Sequence, residues 1–177
     1  MSESPKTKRI LVVYASRGGT TREIAEQIAE ALRLKGIGVE TAAVKKVSNA
    51  GDYDAIVLGS AIYFRRMMPS AVRFIRQNTS ILEACPVAVF SVGAQMRKPT
   101  PKNHALVEKW VRRGLRPYPN IQPISVEHFA GAVAFRRLNV LWRVLLIITF
   151  GERGDWRDLN AVRTWANHIY PLLVNEI

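Results

Sequence analysis

The run Arg9-Ile-Leu-Val-Val-Tyr-Ala15 passes directly into Ser16-Arg-Gly-Gly-Thr-Thr21 and from there into Arg22-Glu-Ile-Ala-Glu-Gln-Ile-Ala-Glu-Ala-Leu32. An apolar β-branched run followed at once by a 3.6-period run is a buried strand handing over to a helix. The junction carries three hydroxyls (Ser16, Thr20, Thr21), one cation (Arg17) and two glycines (Gly18, Gly19) that let backbone come close to a ligand. The first amides of a helix have no intrahelical acceptor and lie at the positive end of its dipole. A turn of this make-up is therefore suited to cradle a phosphate. A plain helix cap is the alternative, because Thr20 and Glu23 have the spacing of a capping box.

The alternation continues along the chain. Gly36 stands where the first helix should stop, and strands are expected over Gly38–Val44, Asp54–Ser60, Pro86–Val92 and Ser125–Val133. Helices are expected over Pro69–Gln77, with Pro in the first turn, over Asn103–Gly114, and over Asp155–Tyr170, where Trp156, Leu159, Val162, Ala166 and Ile169 form a stripe. Nearly wholly apolar strands such as Asp54–Ser60 are covered on both faces, as parallel strands are. The expected fold is an α/β domain with a five-stranded parallel sheet in the order 2-1-3-4-5 and helices on both faces. Ligands of such sheets sit beyond the carboxyl ends of the strands. The turns Ser16–Thr21, Ser60–Arg66 and Ser91–Arg97 should therefore converge, the first on a phosphate and the other two on a flat ring.

The chain of 177 residues is read as a single domain over 1–177, with a flexible start at 1–8. One cysteine, Cys85, and a polar beginning without a signal-peptide core point to a cytoplasmic protein without disulfides. Charge is the second constraint: 26 Lys and Arg against 14 Asp and Glu leave a net +12. Between Arg97 and Arg116 stand Arg97, Lys98, Lys102, Lys109, Arg112, Arg113 and Arg116 against Glu108 alone. Such a field selects anionic partners. Nucleic acid is not expected among them, since the cations are not interleaved with a stacking platform.

With these segments in order, the chain resembles the flavodoxins, and more closely the flavodoxin-domain, menaquinone-dependent protoporphyrinogen oxidases of heme biosynthesis. Ile10 to Thr21 is similar to the phosphate loop of the family, while Gly59-Ser-Ala-Ile-Tyr63 and Ser91-Val-Gly-Ala-Gln-Met-Arg-Lys-Pro99 are similar to its two flavin-ring loops. The resemblance implies FMN as cofactor, its phosphate held by Ser16, Arg17, Gly18, Gly19, Thr20 and Thr21. It implies that Ser60, Ala61, Ile62 and Tyr63 line one side of the ring, with Tyr63 lying against it. Ser91, Val92, Gly93, Ala94 and Gln95 would line the other. The implied substrate is a tetrapyrrole, with Arg97, Lys98, Arg136 or Arg137 receiving its carboxylates, and the implied acceptor is a quinone. Packing of Tyr63 into the core remains the alternative for that residue. Gly151-Glu-Arg-Gly-Asp155 departs from the family, whose corresponding stretch is longer and differently ordered. The cations predict a reduction potential above that of an acidic flavodoxin, because one positive charge ~7 Å from the reduced ring, at an effective dielectric near 20, is worth roughly 2 kcal/mol or ~100 mV.

Residues 134–154 form a basic, apolar extension before the last helix. Over 136–150 the pattern suits a helix lying on an anionic membrane surface, or one buried within the domain or between two copies of the chain. Its uncharged core, Val144 to Phe150, is too short to span a bilayer. His104, His128 and His168 lack metal-ligand spacing, Cys85 lacks a phosphatase arginine, and no Walker lysine follows the glycines. No catalytic acid or base emerges. Two classes of function remain, an FMN-dependent oxidoreductase and an electron-transfer flavodoxin that docks on an acidic protein partner.

Overall fold

The computed structural model describes residues 8–132 and 154–174. Along these the chain runs through β1 (Arg9–Ala15), α1 (Thr20–Arg33), β2 (Gly38–Ala43), β3 (Ala55–Tyr63), β4 (Arg66–Met67), α2 (Pro69–Gln77), α3 (Thr79–Ala84), β5 (Val87–Gly93), α4 (Pro101–Leu115), β6 (Ser125–Ala130) and α5 (Leu159–Val174), with 3₁₀ turns at Ala50–Asp52 and Ala94–Arg97. Parallel pairing gives the order β2-β1-β3-β5-β6, and the two-residue β4 pairs antiparallel with the end of β3. With that ribbon set aside, the sheet has the expected 2-1-3-4-5 order.

Alternation along the buried strands feeds two cores. Ile10 and Val12 of β1 face α1 and α5, where they meet Ile24, Ile28, Val57, Phe90, Trp165 and Ile169. Leu11 and Val13 face the opposite way, among Ile56, Leu58, Phe74, Ile75, Val89 and Val111. Both faces of the sheet are thus covered, and so the strands read as continuous apolar runs. Phe90, Phe129 and Trp165 form an aromatic cluster with centroids 5.7 to 6.3 Å apart, and the Trp165 indole donates to Ser125 Oγ at 2.9 Å.

Of the expected boundaries that move, three have a local reason. Strand β3 runs on to Tyr63 because its last residues pair with β4, with Ile62 opposite Met67 and Tyr63 opposite Arg66. The final helix starts at Leu159, not Asp155, because the cap is Asp158, whose carboxylate accepts from Ala161 N–H at 2.9 Å. Trp156 therefore lies before the helix, outside the expected stripe. Strand β6 ends at Ala130, and Ala132 makes an isolated antiparallel bridge to Asp155. The amphipathic 136–150 segment, Arg136 and Arg137 lie outside the described residues. Among those described, no helix is long and apolar enough to cross a membrane, and no cluster of potential metal ligands occurs.

Gly59 lies on β3 directly beneath the Phe90 ring, where an added Cβ would come within 2.1 Å of Phe90 Cζ. Neither the strand nor the ring can yield without disturbing the aromatic cluster. Gly59→Ala is expected to lower stability by about 1–3 kcal/mol in urea denaturation, the usual cost of overpacking a filled core.

Candidate functional site

Parallel pairing brings one residue from each of four strands into a single register row: Ala15 opposite Ser60, Ser60 opposite Ser91, and Ser91 opposite His128. Beyond this row the chain leaves the sheet at the turn 16–19, at the hairpin 63–66 and at the turn 94–97. The three segments that the sequence assigned to one ligand thus start from the same edge of the sheet.

The first turn closes on itself. Gly19 takes a left-handed conformation (φ 91°) at the N-cap of α1, and its N–H donates to Ser16 Oγ at 3.0 Å. Because Ser16 accepts there, its own hydroxyl proton stays available for an anion. No side chain caps α1, and its first backbone bond is Glu23 N–H to Gly19 O at 3.0 Å. The amides of Thr20, Thr21 and Arg22 consequently have no acceptor within the helix. The capping-box alternative does not form: the Thr20 hydroxyl donates to Ala132 O at 3.0 Å, and Glu23 pairs with Arg157. Thr20 and Thr21 are both buried, so Thr20 ties the turn to the segment after β6.

The second segment is a two-residue hairpin with Phe64 (φ 49°) and Arg65 (φ 60°) at its tip. Left-handed geometry at two such residues costs about 1–2 kcal/mol each, and the base of the hairpin offsets that cost. Ser60, fully buried, accepts from Met68 N–H at 2.9 Å and donates to Ala61 O at 2.9 Å. Met67 packs against α4 at Gly114, where a Cβ would meet its Sδ at 2.7 Å. Ser60 is thus a brace whose hydroxyl is fully engaged. Ala61 is buried, and Ile62 and Tyr63 are half-buried at the rim of the second core. The Tyr63 hydroxyl lies 3.9 Å from where a Cβ on Gly18 would stand, so the hairpin leans over the first turn. Burial pushes the Tyr63 phenol above its ordinary pKa of 10, against the opposing effect of Arg17.

The third segment is stapled to α4. Gln95 Nε2 donates to Asn103 Oδ1 at 2.9 Å, Asn103 Nδ2 donates to Lys98 O at 2.8 Å, and Thr100 caps the helix by accepting from Asn103 N–H at 3.2 Å. Val92 is buried, while Gly93, Ala94 and Gln95 are partly exposed. Arg97 lays its guanidinium over the Trp156 ring, 4.6 Å from the centroid, and Lys98 is exposed. Ser91, also buried, hydrogen-bonds His128 Nδ1 at 2.8 Å, and His128 Nε2 meets Glu108 Oε2 at 3.0 Å.

The flavodoxin domain family matches residues 11–158. The chain belongs to that family. A protoporphyrinogen IX dehydrogenase (quinone) of Leishmania major is 30% identical over 183 residues, covering 97% of this chain and 77% of that protein. The protein of the same name from Escherichia coli K12 is 29% identical over 155 residues, covering 85% of this chain and 83% of its own length. Among solved structures, a short-chain flavodoxin associated with a bacterial microcompartment superposes with a TM-score of 0.60 at 14% identity, covering 96% of this chain and 98% of that one. An archaeal flavodoxin does so with 0.59 at 15% identity, covering 94% and 99%. At such identities the likeness speaks for the fold alone.

Sequence reasoning passed over Asn103, Glu108, His128, Trp156 and Arg157, all of which pack around this flavodoxin-type edge. The only prior signal for His128 was its place in the fifth strand, and Trp156 was expected on the apolar stripe of the last helix. His128 is lowered below its ordinary pKa of 6.5, because burial outweighs Glu108 and Glu127, and His104 lowers it further. An unfolded chain binds this proton at about 6.5, whereas the folded one binds it only at lower pH. The associated stability is complete above that value and is lost as pH falls through the folded one. Urea denaturation between pH 7.5 and 4.5 should show this acid limb in the natural protein and a flatter one in His128→Gln.

Proposed function

We propose that this chain is an FMN-dependent oxidoreductase that oxidises a tetrapyrrole of the protoporphyrinogen type and passes the electrons to a quinone. The observation that carries the cofactor is the uncapped start of α1. A left-handed Gly19, a Ser16 hydroxyl with its proton to give and three helix amides without helical acceptors make a donor set that suits a dianionic ester. Gly18 leaves space beside Tyr63, so the cradle fits the group. FMN, when bound, supplies two-electron redox chemistry at a planar ring.

The chain's own part is to bind and orient. Ser16 and the α1 amides hold the phosphate, with Arg17 adding positive charge at the same turn. Tyr63 from the hairpin and Gly93, Ala94 and Gln95 from the third segment border the ring. Gln95 gives one of its two amide N–H groups to Asn103, which fixes the side chain beside the backbone polar groups of this segment. Lys98 meets substrate carboxylates, and Arg97, stacked on Trp156, adds positive charge beside it. Arg136 and Arg137 join them by the same reasoning, and the extension they belong to contacts the membrane in which a quinone dissolves. The substrate and acceptor rest on the two relatives named for protoporphyrinogen IX and quinone.

A second reading has one observation in its favour. The hairpin, α2 and α4 carry Arg65, Arg66, Arg73, Arg76, Lys102, Lys109, Arg112, Arg113 and Arg116 against Glu108 alone, a face suited to docking an acidic electron-transfer partner. Protein loaded with FMN and given protoporphyrinogen IX and menaquinone separates the two. Quinone-dependent formation of protoporphyrin is the expected result, and tight FMN binding without turnover selects the docking module. For the cradle itself, Ser16→Ala should weaken FMN about tenfold, the loss of one hydrogen bond to a charged group, and leave riboflavin binding unchanged. Equal loss for both ligands in a flavin-fluorescence titration refutes the phosphate assignment.

A further inference from the structure

We propose that Glu108 and His128 are positioning residues for the turn 93–97, acting on it through the Ser91 hydroxyl. The turn's importance rests on the cofactor reading above; the linkage itself rests on geometry. Three side chains from three elements form one chain of hydrogen bonds: Glu108 on α4, His128 on β6 and Ser91 on β5, with contacts of 3.0 Å and 2.8 Å. The inner end is closed to solvent, with Ser91 at 1% and His128 at 7% exposure, whereas the Glu108 side chain is 27% exposed. A serine so deeply buried cannot attack a substrate, so this is no hydrolytic triad. It is a connection from the surface of α4 to the strand that leads into the turn.

The direction of each bond follows from the chemistry of the groups. A carboxylate only accepts, so His128 Nε2 carries the hydrogen given to Glu108. In the neutral ring Nδ1 is then a bare lone pair, and Ser91 must donate to it. When the ring gains its second proton, Nδ1–H becomes a donor, and Ser91 must accept from it and turn its own hydroxyl proton elsewhere. Its register neighbour is Ser60, the brace of the hairpin. Protonation of one imidazole therefore reverses a buried hydroxyl two residues before Gly93, on the row beneath all three ligand segments.

Several groups set the charge around this ring. Glu108 and His104 come from α4, His104 with its ring centroid 6.1 Å away, and Arg112 holds the other Glu108 oxygen at 2.6 Å. Glu127, on the same strand, accepts from the His128 backbone N–H at 2.9 Å. Arg97 stands on the turn itself and Ser91 adds no charge. The chain also shares α4 with the Thr100, Asn103 and Gln95 staple, so the helix is tied to the turn at one end and to the strand below it through Glu108.

The test uses the full-length protein labelled with ¹⁵N and titrated from pH 7.5 to 4.5. The backbone amides of Gly93, Ala94 and Gln95 are expected to shift with the same midpoint as the His128 ring nitrogens, below 6.5. Glu108→Gln should move both midpoints down together by about one pH unit, the tenfold equivalent of one charge-assisted hydrogen bond. Ser91→Ala, which removes a single buried oxygen, should leave the imidazole titrating while the amide shifts of 93–95 fall to less than a third; Ser91→Thr should restore them. In FMN titrations the affinity should step about tenfold across the same midpoint in the natural protein and show no step in Ser91→Ala or His128→Gln. A ring that titrates without moving the amides, amide shifts that persist in Ser91→Ala, or a ring that keeps one protonation state down to pH 4.5 overturns the proposal. Absence of FMN binding overturns the cofactor reading alone, because the amide titration needs no cofactor.

Discussion

Everything at the functional edge depends on parallel pairing that ends on one row. Ala15, Ser60, Ser91 and His128 occupy successive strands at the same height, so the chain leaves the sheet at one place three times, and α1 begins there as well. A parallel sheet has no hairpin option between neighbours. Each strand needs a crossover from its carboxyl end, and the loops must gather along that rim. The row also marks where the interior changes character. Below it lie Val57, Leu58, Val89 and Phe90, and on it, beside the Ala15 methyl, stand two hydroxyls and an imidazole. Each of these polar groups has a partner, and among the described residues no buried side-chain polar atom lacks one.

Much of this arrangement was legible because it is carried by local chemistry. Strand β1, the glycine turn and α1 follow from periodicity and from residues needed at φ > 0, and the strand order follows from repeated β-α-β alternation. Other features had no local signature. The hairpin after β3 places Phe64 and Arg65 where Gly or Asn is expected, so its turn is held by Ser60 across its base and by Met67 against the distant Gly114. The last helix was expected from Asp155, but Arg157 engages that carboxylate and Asp158 caps the helix. His128 reads as an isolated histidine because Ser91 and Glu108, 37 and 20 residues away in the chain, meet it only once the sheet and α4 are assembled.

Of the net charge of +12, the part carried by helices α1 and α4 is distributed unequally between them. On the side of α1, Glu23, Glu26 and Glu30 are matched to Arg157, Arg22 and Gln27. Within α4 the single Glu108 is already divided between Arg112 and His128. Exposed ion pairs add little to stability, so the imbalance costs the fold little. Its effect is on encounter: an anion approaching from solution meets the face that adjoins the hairpin and the turn 94–97.

The segments on either side of residues 133–153 are both tied to the functional edge of the sheet. One end is fixed by the Ala132 carbonyl, which receives the Thr20 hydroxyl, and the other by Asp155 and Arg157, which reaches Glu23 on α1. The two ends are bridged to each other, and Trp156 lies against Arg97 of the third ligand segment. With both roots clamped, the entropy of closing the intervening chain grows only slowly with its length, about 0.6 kcal/mol for each doubling. A difference in length between the two anchors therefore costs the fold little. The stretch Gly151–Asp155, in which the sequence departs from the oxidases it otherwise resembles, runs into the second of these anchors, so that a difference there is separated from the α1 turn by the Arg157–Glu23 and Thr20–Ala132 contacts.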